Sequence, residues 1–166
     1  MTAPSSGPLP PQSPHRIAVG TGLSAILLGA VSMALHEPFL LPPMGATAFL
    51  LFFAPTMPAS KPRAVLLGTA VALLFGYGSL IITGNAEVAS AVSAGFDERR
   101  VLGCTLALAG TSTSMALLKA AHPPAGATTL VVALGLVREP KHLLVMEAGV
   151  ALLLGLRWAL RGAVRG

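Results

Sequence analysis

Two short strings carry the most suggestive backbone chemistry in the chain. One is Pro42-Pro43-Met44-Gly45-Ala46-Thr47 and the other is Pro123-Pro124-Ala125-Gly126-Ala127-Thr128. Proline lacks an N–H and disfavours helix in the residue before it. A Pro-Pro pair therefore stops one helix and suits the first turn of the next. The pattern predicts new helices starting near Gly45 and near Gly126. The first N–H groups of such a helix have no intrahelical partner and sit at the positive end of the helix dipole. Gly45, Ala46, Gly126 and Ala127 leave those groups sterically open, and Thr47 and Thr128 each add a hydroxyl. Two such ends converging near the midplane of an inverted repeat would make a natural anion site; the alternative is that Pro-Pro-x-Gly only kinks and packs helices.

Lys119 and His122 immediately precede the second string. Ionisable groups at membrane depth are costly and usually face a cavity or a partner. Lys119 could supply fixed positive charge to an anion path, and His122 a donor or a pH gate. The blander readings are a snorkelling lysine and a histidine that caps the preceding helix. The first string has Pro38 and Leu41 at the matching places, so the two are not equivalent. His36 and Glu37 lie nearby but out of register and read as an interfacial end. Thr111-Ser112-Thr113-Ser114 reads as helix packing more than pore lining, because consecutive helical residues point in different directions. Gly68, Gly76, Gly78, Gly103 and Gly110 fit close helix contacts. Glu147 could pair with a basic group, and Cys104, the single cysteine, reads as a small buried side chain.

No nucleophile elbow, metal-ligand cluster or phosphate-binding loop is present, and His15, His36, His122 and His142 are scattered. The expectation is a chain that is not an enzyme and uses no cofactor.

The elements that must position these residues are apolar helices. The 166 residues are 54% hydrophobic and only 10% charged, with a mean hydropathy of +0.77. A soluble domain carries about a quarter charged residues, and this chain has too few to cover its surface. The net charge is +5, but the basic residues sit mostly at the ends of apolar runs, where they anchor to headgroups. No basic stripe alternates with aromatics, so nucleic acid is not an expected partner. Residues 1–15, rich in Pro, Ser and Gly, read as a disordered tail and not as a signal peptide. Residues 162–166 read as a C-terminal tail.

Uninterrupted apolar stretches at 17–35, 64–83, 101–118 and 143–160 each approach the roughly 20 residues that span a bilayer. Two more, 38–58 and 120–137, are broken near their starts by the Pro-Pro pairs, and 84–98 reads as an interfacial loop. The strings are offset by 81 residues (123 − 42). Val71-Ala72-Leu73-Leu74-Phe75-Gly76 resembles Val150-Ala151-Leu152-Leu153-Leu154-Gly155 at an offset of 79 (150 − 71). The reading is an all-α integral membrane protein whose single transmembrane domain, 16–161, is an internal duplication. Each unit, near 16–84 and 99–161, is a helix, a broken short helix and a helix. If the middle element crosses, each unit has three crossings and the second is an inverted repeat. If it re-enters, the repeats are parallel. Positive-inside counting and apolar length favour six helical crossings.

The string His122-Pro123-Pro124-Ala125-Gly126-Ala127-Thr128, with the earlier Pro42–Thr47 element, resembles the signature of the HPP family of integral membrane proteins. The resemblance covers nearly all of 16–161. It implies four membrane-spanning helices, fewer than the residues suggest, and an association with nitrite transport seen in plastid and cyanobacterial relatives. The expected function is a channel or transporter for a small monovalent anion, nitrite under the resemblance. The ion would sit at Lys119, His122, Gly126, Ala127, Thr128, Gly45, Ala46 and Thr47. The alternative is a membrane scaffold or sensor subunit that transports nothing. A multi-pass protein of the cell (inner) membrane is expected, and so thin a bundle suggests a homo-oligomer.

Overall fold

The computed structural model describes residues 13–160, so most of the N-terminal tail and the C-terminal residues 161–166 lie outside it. All the regular structure among these residues is helical. The order is α1 (Pro14–Leu35), α2 (Pro42–Phe53), a 3₁₀ turn (Pro58–Ser60), α3 (Pro62–Ile82), the short α4 (Ala91–Ala94), α5 (Glu98–Leu117), α6 (Pro124–Ala133) and α7 (Pro140–Leu160).

Local sequence explains the boundaries. Helices α1, α2, α3 and α6 carry proline in the first turn, where its missing N–H is no loss. The Ser13 hydroxyl caps α1 by accepting from the Arg16 N–H, and Asp97 caps α5 by accepting from the Arg100 N–H at 2.8 Å. Helix α1 ends at His36, whose φ of 54° turns the chain out of the helix.

Three helices are long and apolar enough to cross a membrane: α1, α3 and α7. Helix α5 has 20 residues, but it begins with Glu98, Arg99 and Arg100 and carries the hydroxyl run 111–114, so its composition falls short. Helices α2 and α6 have 12 and 10 residues. At about 1.5 Å per residue they are roughly 18 and 15 Å long, half a hydrocarbon core. Both are the short helices expected after the Pro-Pro breaks, although the apolar stretches that hold them approach spanning length. Each is a half-length helix entered through a non-helical segment, 36–41 or 118–123.

Close contacts give the relative directions. A Cβ on Gly20 of α1 would meet the Phe52 ring of α2, while Gly29 lies near Leu40, so α1 and α2 are antiparallel. Gly103 lies against Thr83 and Gly110 against Phe75, so α3 and α5 are antiparallel. Gly68 abuts His122 and Gly76 abuts Val132, so α3 and α6 run the same way. Gly149 faces Met44 and Arg157 reaches Pro55 and Ser60, so α7 runs with α2.

The packing exchanges partners between the halves. Helix α3 packs chiefly on α5 and α6, while α7 packs on α1, α2 and α3. Leu28, Met44, Leu51, Val65, Leu80, Val132, Met146, Val150 and Leu153 form one core drawn from both halves. Four of the five glycines expected at helix contacts are close to a neighbour; Gly78 has nothing within 4 Å.

Charge is sorted between the two ends. Arg16, Lys61, Arg63, Lys119 and Arg157 gather at one end with no acidic residue among the described ones. That end is tied by Arg63 Nη2 donating to the Leu118 carbonyl at 3.2 Å and by Arg157 donating to the Ser60 and Pro55 carbonyls. At the opposite end Lys141 pairs with Glu37 and Glu139, His142 Nε2 lies 3.0 Å from Glu37, and Arg100 pairs with Asp97.

Candidate functional site

The two broken elements meet inside the bundle. His122, 1% exposed, places Nε2 3.3 Å from the hydroxyl of buried Thr47, across 75 residues of sequence. Its Nδ1 lies 2.9 Å from the Ala59 carbonyl. A carbonyl only accepts, so the ring proton sits on Nδ1. In the neutral ring Nε2 is then the acceptor and the Thr47 hydroxyl the donor. Both ring nitrogens are engaged within the protein. His122 thus pins the turn between α2 and α3 to the start of α6, and is not a capping residue turned back onto its own helix.

The same turn is held from a second side. Arg157, buried near the end of α7, donates to the Pro55 and Ser60 carbonyls. The Ser60 hydroxyl donates to the Ala54 carbonyl at 2.8 Å. Buried non-helical backbone must have its polar groups satisfied within the protein or by water. Here His122, Arg157 and Ser60 serve the carbonyls. In the segment before α2, the Ser32 hydroxyl plays the corresponding part, accepting from the Phe39 and Leu40 N–H groups at 3.0 and 3.2 Å.

Gly68 and Gly149 make this approach geometrically feasible. They are 81 residues apart (149 − 68), and each faces the backbone just before the other half's Pro-Pro pair. A Cβ at Gly68 would lie 3.4 Å from the Ala120 carbonyl oxygen, and one at Gly149 3.8 Å from that of Phe39. Those two carbonyls are also 81 residues apart (120 − 39).

The eight residues expected to form an anion site separate into two groups. Thr47, His122 and Thr128 are buried. Lys119, Gly45, Ala46 and Ala127 are exposed and Gly126 half-buried. Lys119 ends α5 with a φ of 50°, beside the Arg63–Leu118 contact. The helix starts themselves fall at Pro42 and Pro124, earlier than Gly45 and Gly126. Their N–H groups are partly used. Met44 donates to the Leu41 carbonyl at 2.9 Å, Ala125 to that of His122 at 2.9 Å, and Gly126 to that of Pro123 at 3.0 Å. Gly45 lines a cavity of about 270 Å³ between α1 and α2, bordered mainly by apolar residues such as Leu28, Leu40 and Met44, with Thr21 and Ser24 its hydroxyls.

Beside His122 the α3–α5–α6 interface buries three threonines, Thr69, Thr111 and Thr129. The Thr129 hydroxyl lies 3.0 Å from that of Thr111 and 3.0 Å from the Ala125 carbonyl. Of the hydroxyl run, only Thr111 is buried; Ser112 and Thr113 are exposed and Ser114 half-buried. Sequence reasoning missed Arg157 as an internal ligand and passed over Thr129. A lone arginine inside an apolar run was the signal for the first; the second had none beyond adjacency to Thr128.

Comparison with known proteins fits this arrangement into a group. A curated transmembrane protein of Dictyostelium discoideum is 32% identical over 115 residues, which make up 68% of this chain and 33% of that protein. The chain therefore spans about a third of that relative's length. No solved structure matches. The family model for the HPP transmembrane region matches residues 8–164, a span that holds both Pro-Pro elements, His122 and Arg157. The chain belongs to the HPP transmembrane-region family.

Proposed function

We propose that the chain is a multi-pass protein of the cell (inner) membrane that lets a small monovalent anion, nitrite, pass down its gradient. The observation that carries this reading is the contact between Thr47 and His122. It joins two broken helices, one from each half, in the interior of an apolar chain. Broken helices meeting at depth are a recurring way to place polar groups on a permeation path. The cluster of Lys61, Arg63 and Lys119 at one end gives that path a positive mouth.

The helix directions support six passages of the chain with the second half inverted. Helices α1 and α3 run alike, and 38–53 returns along α1 between them; α5, α6 and α7 repeat the pattern upside down. In this reading an extended segment and a half-length helix together make each middle passage. The basic end faces the cytoplasm by the positive-inside rule.

Nitrite flux into proteoliposomes holding the pure protein tests the function. Flux above that of empty liposomes, reduced by Lys119→Ala, is expected. Flux equal to that of empty liposomes rejects it.

A second reading, a scaffold subunit that transports nothing, is favoured by the local pairing of the Met44, Ala125 and Gly126 N–H groups. Absent flux together with co-purification of a stoichiometric partner selects it.

A further inference from the structure

The basic end of the bundle has a composition that a permeation path alone does not require. Lys61, Arg63 and Lys119 are exposed, and none has an acidic partner among the described residues. At the other end, Arg100 and Lys141 are matched by carboxylates. The three cations are also held on fixed backbone. Arg63 is anchored to the Leu118 carbonyl, which places its guanidinium beside Lys119. Lys61 directly follows the turn that His122 and Arg157 hold by its Ala59 and Ser60 carbonyls.

Exposed apolar groups share this end. Leu117 and Leu118 directly precede Lys119 on the chain, Met57 lies in the same turn as Ala59, and Trp158 follows Arg157 with 73% of its surface exposed. A tryptophan at a helix end is a group that sits at headgroup level. Fixed unpaired cations interleaved with exposed apolar side chains match a ligand with a phosphate and acyl chains. A free phosphate would use the cations alone and leave the leucines and the tryptophan to the surrounding bilayer.

We infer that the basic end, centred on Lys61, Arg63 and Lys119, is a docking surface for the headgroup of an anionic phospholipid of the adjoining leaflet. The phosphate bonds to Arg63 and Lys119, Lys61 adds charge, and the acyl chains lie along Leu117 and Leu118. This inference does not depend on what the protein transports.

The experiment is native mass spectrometry of the purified full chain with equimolar phosphatidylglycerol and phosphatidylcholine. Preferential retention of phosphatidylglycerol is expected. Each neutralised cation should reduce that preference about fivefold, the effect of a basic residue near an anionic surface. Lys61→Gln with Lys119→Gln makes the main variant, because neither side chain holds backbone; Arg63→Gln is read separately through its thermal stability. Arg99→Gln, an exposed cation at the other end, should leave the preference unchanged. Equal retention of the two lipids by the unaltered protein overturns the inference. So does an equal loss in the Arg99 variant. Displacement of the lipid by soluble glycerol phosphate at similar concentration would assign the site to free phosphate and also overturn it.

Discussion

The matched glycines Gly68 and Gly149 offer a sharp comparison, since a methyl group at each meets different matter. At Gly68 a Cβ would fall 2.7 Å from the Cβ of His122, an atom fixed to backbone, and 3.4 Å from the Met115 sulphur. His122 cannot retreat without stretching its bonds to Ala59 and Thr47. At Gly149 the nearest atom is the Met44 sulphur at 3.4 Å, near the end of a flexible side chain. Alanine gains about 1 kcal/mol over glycine in a helix interior at either position. Overpacking a filled site costs about 1–3 kcal/mol. Weakening the buried bond to Thr47 and the half-buried bond to Ala59 adds about 1 kcal/mol each. Gly68→Ala should therefore lose about 2–4 kcal/mol net. Gly149→Ala should stay within about 1 kcal/mol of the parent, on the stable side. Unfolding in mixed micelles by titration with sodium dodecyl sulphate, followed by circular dichroism, measures both. A Gly68→Ala protein as stable as Gly149→Ala would refute the close approach of α3 to the segment before Pro123.

Three further outcomes are expected. His122→Ala strands the half-buried Ala59 carbonyl and the buried Thr47 hydroxyl and should cost about 2–4 kcal/mol by the same titration, while His122→Asn, which offers an amide N–H near the Nδ1 position, should recover at least half. Arg157→Met removes the donor to the Pro55 and Ser60 carbonyls and should lose about 3 kcal/mol, whereas Trp158→Ala, exposed beside it, should stay within about 0.5 kcal/mol; equal effects would remove Arg157 from the structure of that turn. In proteoliposomes Lys119→Ala should slow nitrite entry more than Arg99→Ala does, and the gap should narrow as salt shortens the Debye length below about 8 Å; a gap that ignores salt would speak against an electrostatic mouth.

The Pro-Pro pairs and their 81-residue offset made the middle elements legible in the sequence, because proline acts on its immediate neighbours. Its effect on the helix start was placed two to three residues late, since Pro42 and Pro124 serve as first-turn residues and do not merely precede them. The length of α2 and α6 was not legible. Apolar composition runs on past Phe53 and Ala133, and hydropathy does not say where the backbone leaves the helix. Which member of the four-hydroxyl run packs was not legible, because that depends on where α6 brings Thr129. The least legible feature was the role of His122 and Arg157. Their partners lie 63 to 102 residues away, and no local pattern encodes a contact with a distant carbonyl.

The exchange of partners between the halves sets a timetable for synthesis. Helix α3 is complete at Ile82, yet its main neighbours α5 and α6 are finished only at Ala133, 51 residues later (133 − 82). At about 5–20 residues per second the ribosome takes roughly 3–10 s to supply them. During that interval α3 resides in lipid without its lasting contacts. It has the highest mean hydropathy of the three candidate spans, 2.2, and also the most buried surface in the finished bundle. One apolar surface thus has two successive solvents: acyl chains while the ribosome is still working, and the second half of the protein once the chain is complete.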